Sequence, residues 1–240
     1  MNKNERHRAK RDELVTVFER VTLYVEGHLR QVGWMTAALA ACIATAFGVW
    51  SWLQARDQAA SFLLGRLIQT YRAPVAFAQD ETAAPAETTT YSTAEERDAK
   101  VVEQADQLLA RYGSSKVASK ALYYKALALS GQNKQEEAAK VLDEFLRRFP
   151  DDFLAPMARY QFGKVRQVQG SPAEALIQFQ ALVEDRRGFF PREEALLAVG
   201  RCQEAMGKKS EAIATYKKIV SDFPNSEYEA EAKTRIAGLS

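Results

Sequence analysis

Residues 170–184, GSPAEALIQFQALVE, decide the fold, because their pattern recurs on both sides at one fixed distance. Glu174-Ala175 has counterparts in Glu137-Ala138 and Glu211-Ala212, and successive pairs stand 37 residues apart. Four residues after the alanines come Leu142, Phe179 and Tyr216; seven after them come Phe145, Leu182 and Ile219. Apolar positions at those spacings share one face of a helix, so each unit carries an amphipathic helix in the same register. Twelve residues before the alanines lie Ala126, Gly163 and Gly200, small residues that let a preceding helix cross closely. Gly131, Gly170 and Gly207 are placed to end those first helices in the left-handed conformation that glycine adopts without strain. The unit is a helical hairpin.

Working outward, Phe149-Pro150 and Phe223-Pro224 close two units, whereas the middle one runs through Arg187 to Gly188-Phe189-Phe190-Pro191. Tyr112-Gly113 falls one period before Phe149, so Val101 to Tyr112 reads as the second helix of a worn leading repeat. Glu227 to Leu239 is expected to cap the array, with Tyr228, Ala232 and Ile236 inward and Glu229, Glu231, Lys233 and Arg235 outward. A single hairpin leaves an apolar face bare and stacking buries it, which predicts one all-α solenoid over 96–240.

The pattern resembles the tetratricopeptide repeat, in which a small residue on the first helix, Ala-x-x-x-aromatic on the second and a closing Pro recur. Ala175-x-x-x-Phe179 and Ala212-x-x-x-Tyr216 fit, while Ala138-x-x-x-Leu142 replaces the aromatic. The longer period comes from inter-repeat loops such as residues 150–156, a variant similar to the repeats of bacterial envelope proteins. The resemblance implies a concave face lined by the first helices. Tyr123 and Tyr160 are one period apart there, as are Lys164 and Arg201, and these four form a candidate peptide-binding groove. The same residues also read as tyrosines packed between repeats and ordinary surface cations.

Far upstream, residues 33–53, GWMTAALAACIATAFGVWSWL, carry no charge, enough for a helix of roughly 30 Å that crosses a bilayer. Trp34, Trp50 and Trp52 stand at headgroup level on the two sides. Lys3, Arg6, Arg8, Lys10 and Arg11 precede the span and only Arg56 closely follows it, so the N-terminus is expected in the cytoplasm and the repeats in the periplasm of a bacterial inner-membrane protein. Leu39-Ala40-Ala41-Cys42 resembles a lipoprotein processing box, but a long polar run precedes the apolar stretch and eleven further residues of it follow Cys42. Gly33, Ala37 and Ala41, and likewise Ala40, Ala44 and Gly48, set small residues every four positions, a pattern that lets two spanning helices associate as a homo-oligomer.

The expected division is a basic tail with an amphipathic helix over 1–32, the transmembrane helix 33–53, a helical stalk 54–72, a flexible linker 73–95 and the repeat domain. In the first of these, Leu14, Phe18, Val21, Val25, Leu29 and Val32 form one apolar stripe for the membrane surface or a partner helix. The linker is rich in Ala, Thr, Pro and Glu without a sustained period.

Composition narrows the chemistry. After Leu53 there are 26 basic and 26 acidic residues, which leaves no electrostatic footprint for nucleic acid. The histidines are His7 and His28 alone, the cysteines Cys42 and Cys202, and neither set is spaced as metal ligands or as a nucleophile with its base. No phosphate loop or nucleophile elbow is present, so no enzyme, cofactor or metal is expected. The whole layout is similar to the single-pass, periplasm-facing repeat subunit that accompanies the Sec translocon. That similarity implies a membrane-tethered, chaperone-like scaffold that docks proteins near an export complex. An organiser of cell-wall or outer-membrane assembly and a single-pass sensor using the 12–32 helix are the alternatives.

Overall fold

The computed structural model describes residues 29–75, 90–185 and 189–240. Among them are α1 (Leu29–Arg72), α2 (Ala94–Tyr112), α3 (Ala118–Gly131), α4 (Gln135–Arg148), α5 (Ala155–Val168), α6 (Pro172–Glu184), α7 (Arg192–Ala205), α8 (Lys209–Asp222) and α9 (Glu229–Leu239). The basic tail, the amphipathic segment up to His28, most of the linker, and Arg187 and Gly188 lie outside the described residues. The structure has two units, Met1–Arg56 and Asp57–Ser240.

In the first unit, the described part of α1 is apolar all round. Trp34, Leu39, Ile43, Phe47 and Trp52 are all exposed, and nothing approaches a Cβ built on Gly33 or Gly48. Its polar groups are satisfied inside the helix: the Thr36 hydroxyl donates to the Gly33 carbonyl at 3.0 Å and the Thr45 hydroxyl to that of Ala41 at 2.9 Å. This helix alone among the described residues is long and apolar enough to cross a membrane.

The second unit is a stack of hairpins in which each helix packs on the next, from α2 to α9. The 37-residue register extends one unit further than the glycines reveal. Val101, Ala138, Ala175 and Ala212 are equivalent, as are Ala105, Leu142, Phe179 and Tyr216, and all eight are buried. Sixteen residues separate Ala126 from Leu142, Gly163 from Phe179 and Gly200 from Tyr216. A Cβ on Gly163 would lie 2.5 Å from the Phe179 ring, and one on Gly200 would overlap the Tyr216 ring, so the aromatic rests directly on the glycine backbone. Ala126 with Leu142 fills the same crossing with a larger residue below and a smaller one above.

Three expectations change. The stretch expected as a stalk supplies the missing first helix of the leading repeat: Leu67 is buried with Val101, Ala105 and Ala128, and Leu64 with Leu108 and Ala121. The repeat unit therefore begins at Asp57 rather than residue 96, because those apolar side chains have a partner face on α2. At the two described ends of the linker, the Tyr91 amide donates to the Pro74 carbonyl at 3.3 Å, and Thr93 caps α2 by accepting from the Glu96 amide at 3.1 Å. Lastly, Gly170 and Gly207 do adopt φ near +72° and +74°, but Asn133, at +60°, takes that position in the first unit instead of Gly131. Asn tolerates the left-handed region, and Gly131 is small for a different reason, since a Cβ there would strike the Asp98 carboxylate.

Candidate functional site

The four groove residues come out differently. Tyr123 is 6% exposed and packs edge-on against Tyr124 with ring centroids 5.9 Å apart, so it belongs to the interior of the stack. Tyr160 is half-buried between Phe179 at 5.6 Å and Phe190 at 4.8 Å. Burial, and then hydrogen bonding to the Glu194 carboxylate, push its phenol up to about 12. Lys164 is exposed and holds its ammonium 5.7 Å from the Tyr160 ring centroid.

Arg201 grips both Glu231 oxygens of α9, at 2.7 and 2.8 Å. This bidentate pair pulls the Glu231 carboxyl below its usual range. Arg235 continues the network to Glu204, which in turn accepts the Tyr216 hydroxyl. Glu231 and Arg235, expected to face outward, instead latch α9 to α7.

Two of the four residues thus remain available, and they belong to one row. Met157, Tyr160, Lys164 and Val168 follow each other at steps of three, four and four along α5, which places them on one helix face. Met157 is 44% and Val168 67% exposed. Just before the helix, Phe153 is 59% exposed with the Lys120 ammonium 5.7 Å from its ring. Along the face Lys164 lies between Tyr160 and Val168, and Lys120 lies beside Phe153 at the leading end. Met157 and Val168 share Tyr160's helical period, a signal present in the sequence. Phe153 precedes the helix but lies four residues before Met157 and so keeps the same spacing.

Among the described residues no group of His, Cys, Asp or Glu is placed to hold a metal ion. Cys202 is buried, its thiol pushed up to about 11 by desolvation, and it accepts from the Gln167 amide at 3.2 Å; Cys42 is exposed on the apolar part of α1.

The profile of the family described as YfiO, outer membrane lipoprotein, matches residues 80–240. The chain belongs to that family. The YfiO match covers the repeats from α2 onward and includes neither the apolar part of α1 nor Cys42. No curated protein matches the chain. Solved structures with the same fold include the TPR-like repeats of a putative kinesin light chain from Podosopora anserina, at 13% identity and a TM-score of 0.52, covering 60% of this chain and 78% of that one. PilW, a type IV pilus biogenesis factor, matches at 20% identity and a TM-score of 0.50, covering 57% of this chain and 60% of its own. Identities this low establish the tetratricopeptide-like fold alone. Fold and YfiO membership together make the chain a tetratricopeptide-like member of an envelope-associated family, with an apolar helix compatible with membrane anchoring.

Proposed function

We propose that this protein is a single-pass, membrane-anchored docking scaffold of the bacterial envelope that holds a client segment against the exposed face of α5. The observation that carries this is the row Met157, Tyr160, Lys164 and Val168, which sets two exposed apolar side chains, a half-buried tyrosine and an exposed lysine on one face of α5. Aromatic and methionine surface supplies contact area, and Lys120 and Lys164 favour a client with acidic residues flanking its apolar ones. Anchoring through residues 33–53 keeps such a client near the bilayer. The basic inner flank supports a cytoplasmic N-terminus and periplasmic repeats, the orientation of a chaperone-like export accessory beside the Sec translocon. The small-residue faces of α1 support association of two copies.

A photoreactive amino acid at Met157 or Lys164 in the full-length protein is expected to capture a discrete partner in cells, while one at Glu174, on the second helix of that unit, is not. Equal labelling from all three positions would remove the docking face.

The YfiO match favours a second reading, in which the scaffold serves outer-membrane assembly and Cys42 carries the lipid anchor. Labelled palmitate separates the two. Incorporation that disappears in Cys42→Ser supports the lipoprotein; an unlabelled protein that keeps its full mass supports the span.

A further inference from the structure

Two of the loops that join one hairpin to the next carry exposed phenylalanines, Phe153 at 59% and Phe189 at 63%. In the 37-residue register Phe153 matches Lys116, Phe190 and Glu227, and Phe189 matches Ser115, Asp152 and Ser226. Phe190 is turned onto the Tyr160 ring, so it has a reason within the stack. Phe153 and Phe189 instead give most of their rings to solvent, where the repeat tolerates a lysine or a serine.

The chain enters the stack at the same edge. Leu64 of α1 is buried with Leu108 of α2 and Ala121 of α3, and Leu67 with Val101 of α2 and Ala128 of α3. Residue numbers rise together in α1 and α3 and oppositely in α2, so the part of α1 from Asp57 runs parallel to α3. Short connections keep successive helices antiparallel, and α5 and α7 therefore run the same way. Asp57 and the beginnings of α3, α5 and α7 lie at one edge, together with the loops of Phe153 and Phe189. Arg148, ending α4, donates to the Gly113 carbonyl after α2 at 2.6 Å, which ties two of these loops together there. The turns with Asn133, Gly170 and Gly207 form the other edge. Only Gln54, Ala55 and Arg56 separate Asp57 from the uncharged run that ends at Leu53, so covalent reach alone holds the first edge within about 14 Å of the end of that run.

Apolar side chains at a bilayer surface settle about 5–10 Å into the boundary between headgroups and acyl chains, and aromatic rings favour this level. Charge at the edge is mixed, Lys116, Lys120 and Arg192 standing against Asp151, Glu193 and Glu227, so rings rather than attraction to anionic lipid carry the contact. Two rings on separate loop tips, with no pocket between them among the described residues, suit a fluid surface better than a shaped protein partner.

We propose that this edge rests on the bilayer, with Phe153 and Phe189 inserted at the headgroup boundary of the leaflet from which α1 emerges. The inference rests on the reading of residues 33–53 as a membrane span and adds a second lipid contact to it. Phe153 then places the start of the α5 row beside the membrane.

The test uses the full-length protein, with no other protein present, in vesicles of phosphatidylethanolamine and phosphatidylglycerol. In a Cys42→Ser background a nitroxide is attached in turn to Phe153→Cys, Phe189→Cys, Lys134→Cys at the opposite edge, and Leu39→Cys in the span. Collisions with oxygen, which concentrates in lipid, are compared with collisions with a nickel chelate, which stays in water. The oxygen-to-chelate ratio is expected to be several-fold higher at 153 and 189 than at 134. Equal ratios at these three positions, with the Leu39 probe in lipid, would overturn the edge contact and leave the span standing. A Leu39 probe that meets the chelate freely would remove the span, and the edge contact with it. Probes at 153 and 189 shielded from both reagents would show a second copy covering the edge and would also overturn the assignment.

Discussion

The two ends of the repeat domain are closed in different ways. At the leading end α1 lays Leu64 and Leu67 onto α2 and α3, both nearly or fully buried, so the cover is an apolar helix. At the trailing end α9 buries one small side chain completely, Ala232, packs Ile236 and Leu239 half-buried against the same core, and adds the Arg201–Glu231–Arg235–Glu204 chain of ion pairs. The leading cover is also the continuation of the apolar helix. A solenoid needs both covers, because each hairpin exposes a face that its neighbour must fill. The difference teaches where the stack is anchored: the end attached to the apolar helix is held by burial, which salt and acid hardly touch, and the other by a smaller burial together with charge.

The largest test of that contrast is truncation. Removing residues 1–56 should leave a folded, detergent-free domain, since the second unit is complete from Asp57. Removing residues 1–72 bares Val101, Ala105 and Leu108, and is expected to cost helix content beyond the deleted segment, seen by circular dichroism and by binding of a hydrophobic dye. An equally stable shorter fragment would show that α1 adds no cover. A point substitution asks the same question more gently. Leu67→Ala should lower stability by about 2–5 kcal/mol in chemical denaturation, as for other fully buried leucines. Leu39→Ala, on the exposed apolar part of α1, should leave the domain's midpoint unchanged.

Between the ends, the hairpin crossings share a volume rule. Leading to trailing, the first-helix and second-helix residues are Leu67 with Ala105, Ala126 with Leu142, Gly163 with Phe179 and Gly200 with Tyr216. As one shrinks the other grows. Gly163→Ala gains about 0.5–1 kcal/mol of helix preference, but drives a methyl into the Phe179 ring at a cost of about 1–3 kcal/mol, so a net loss is expected. Adding Phe179→Leu, which reproduces the Ala126–Leu142 pair, should recover part of it in a double-mutant cycle. Gly65→Ala on α1 meets nothing within 4 Å and should be neutral or mildly stabilising.

This rule also marks what was legible. The second helices announced themselves because Val101, Ala138, Ala175 and Ala212 keep one register. The first helix of the leading unit did not: Leu67 lies 38 residues before its partner Ala105, where the later pairs are 16 apart, and it is continuous with an apolar run that dominates any local reading. Asn133 was hidden by Gly131, a glycine two residues too early. Of the candidate groove, periodicity paired Tyr123 with Tyr160 and Lys164 with Arg201 across the repeats, whereas α5 sets Tyr160 and Lys164 on one helix face. It cannot say what covers a residue, and so missed Tyr124 beside Tyr123 and Glu231 upon Arg201.

The smallest expected effect is the most specific to the trailing end. Glu231 has its carboxyl lowered first by the hydrogen bond from Arg201, and Glu229 is lowered by Lys233 and the Asn225 amide. For an acid whose folded value lies below its unfolded value of about 4.3, the stabilisation is complete above that value and is lost as pH falls through the folded one. Acidification from about pH 5 towards pH 3 should therefore loosen α9, measured as faster amide exchange in Glu229–Leu239. The partly exposed Arg201–Glu231 pair contributes on the order of 0–1 kcal/mol, so exchange should rise several-fold without unfolding the stack. Arg201→Gln should raise exchange in α9 at neutral pH and shrink the acid-induced step, because the principal cause of the Glu231 shift is gone. High salt should move the wild type in the same direction by screening the partly exposed latch. If α9 in the variant keeps wild-type protection and the full acid step, then Ala232, Tyr228 and Ile236 hold this end by packing, and the two ends are closed by the same force.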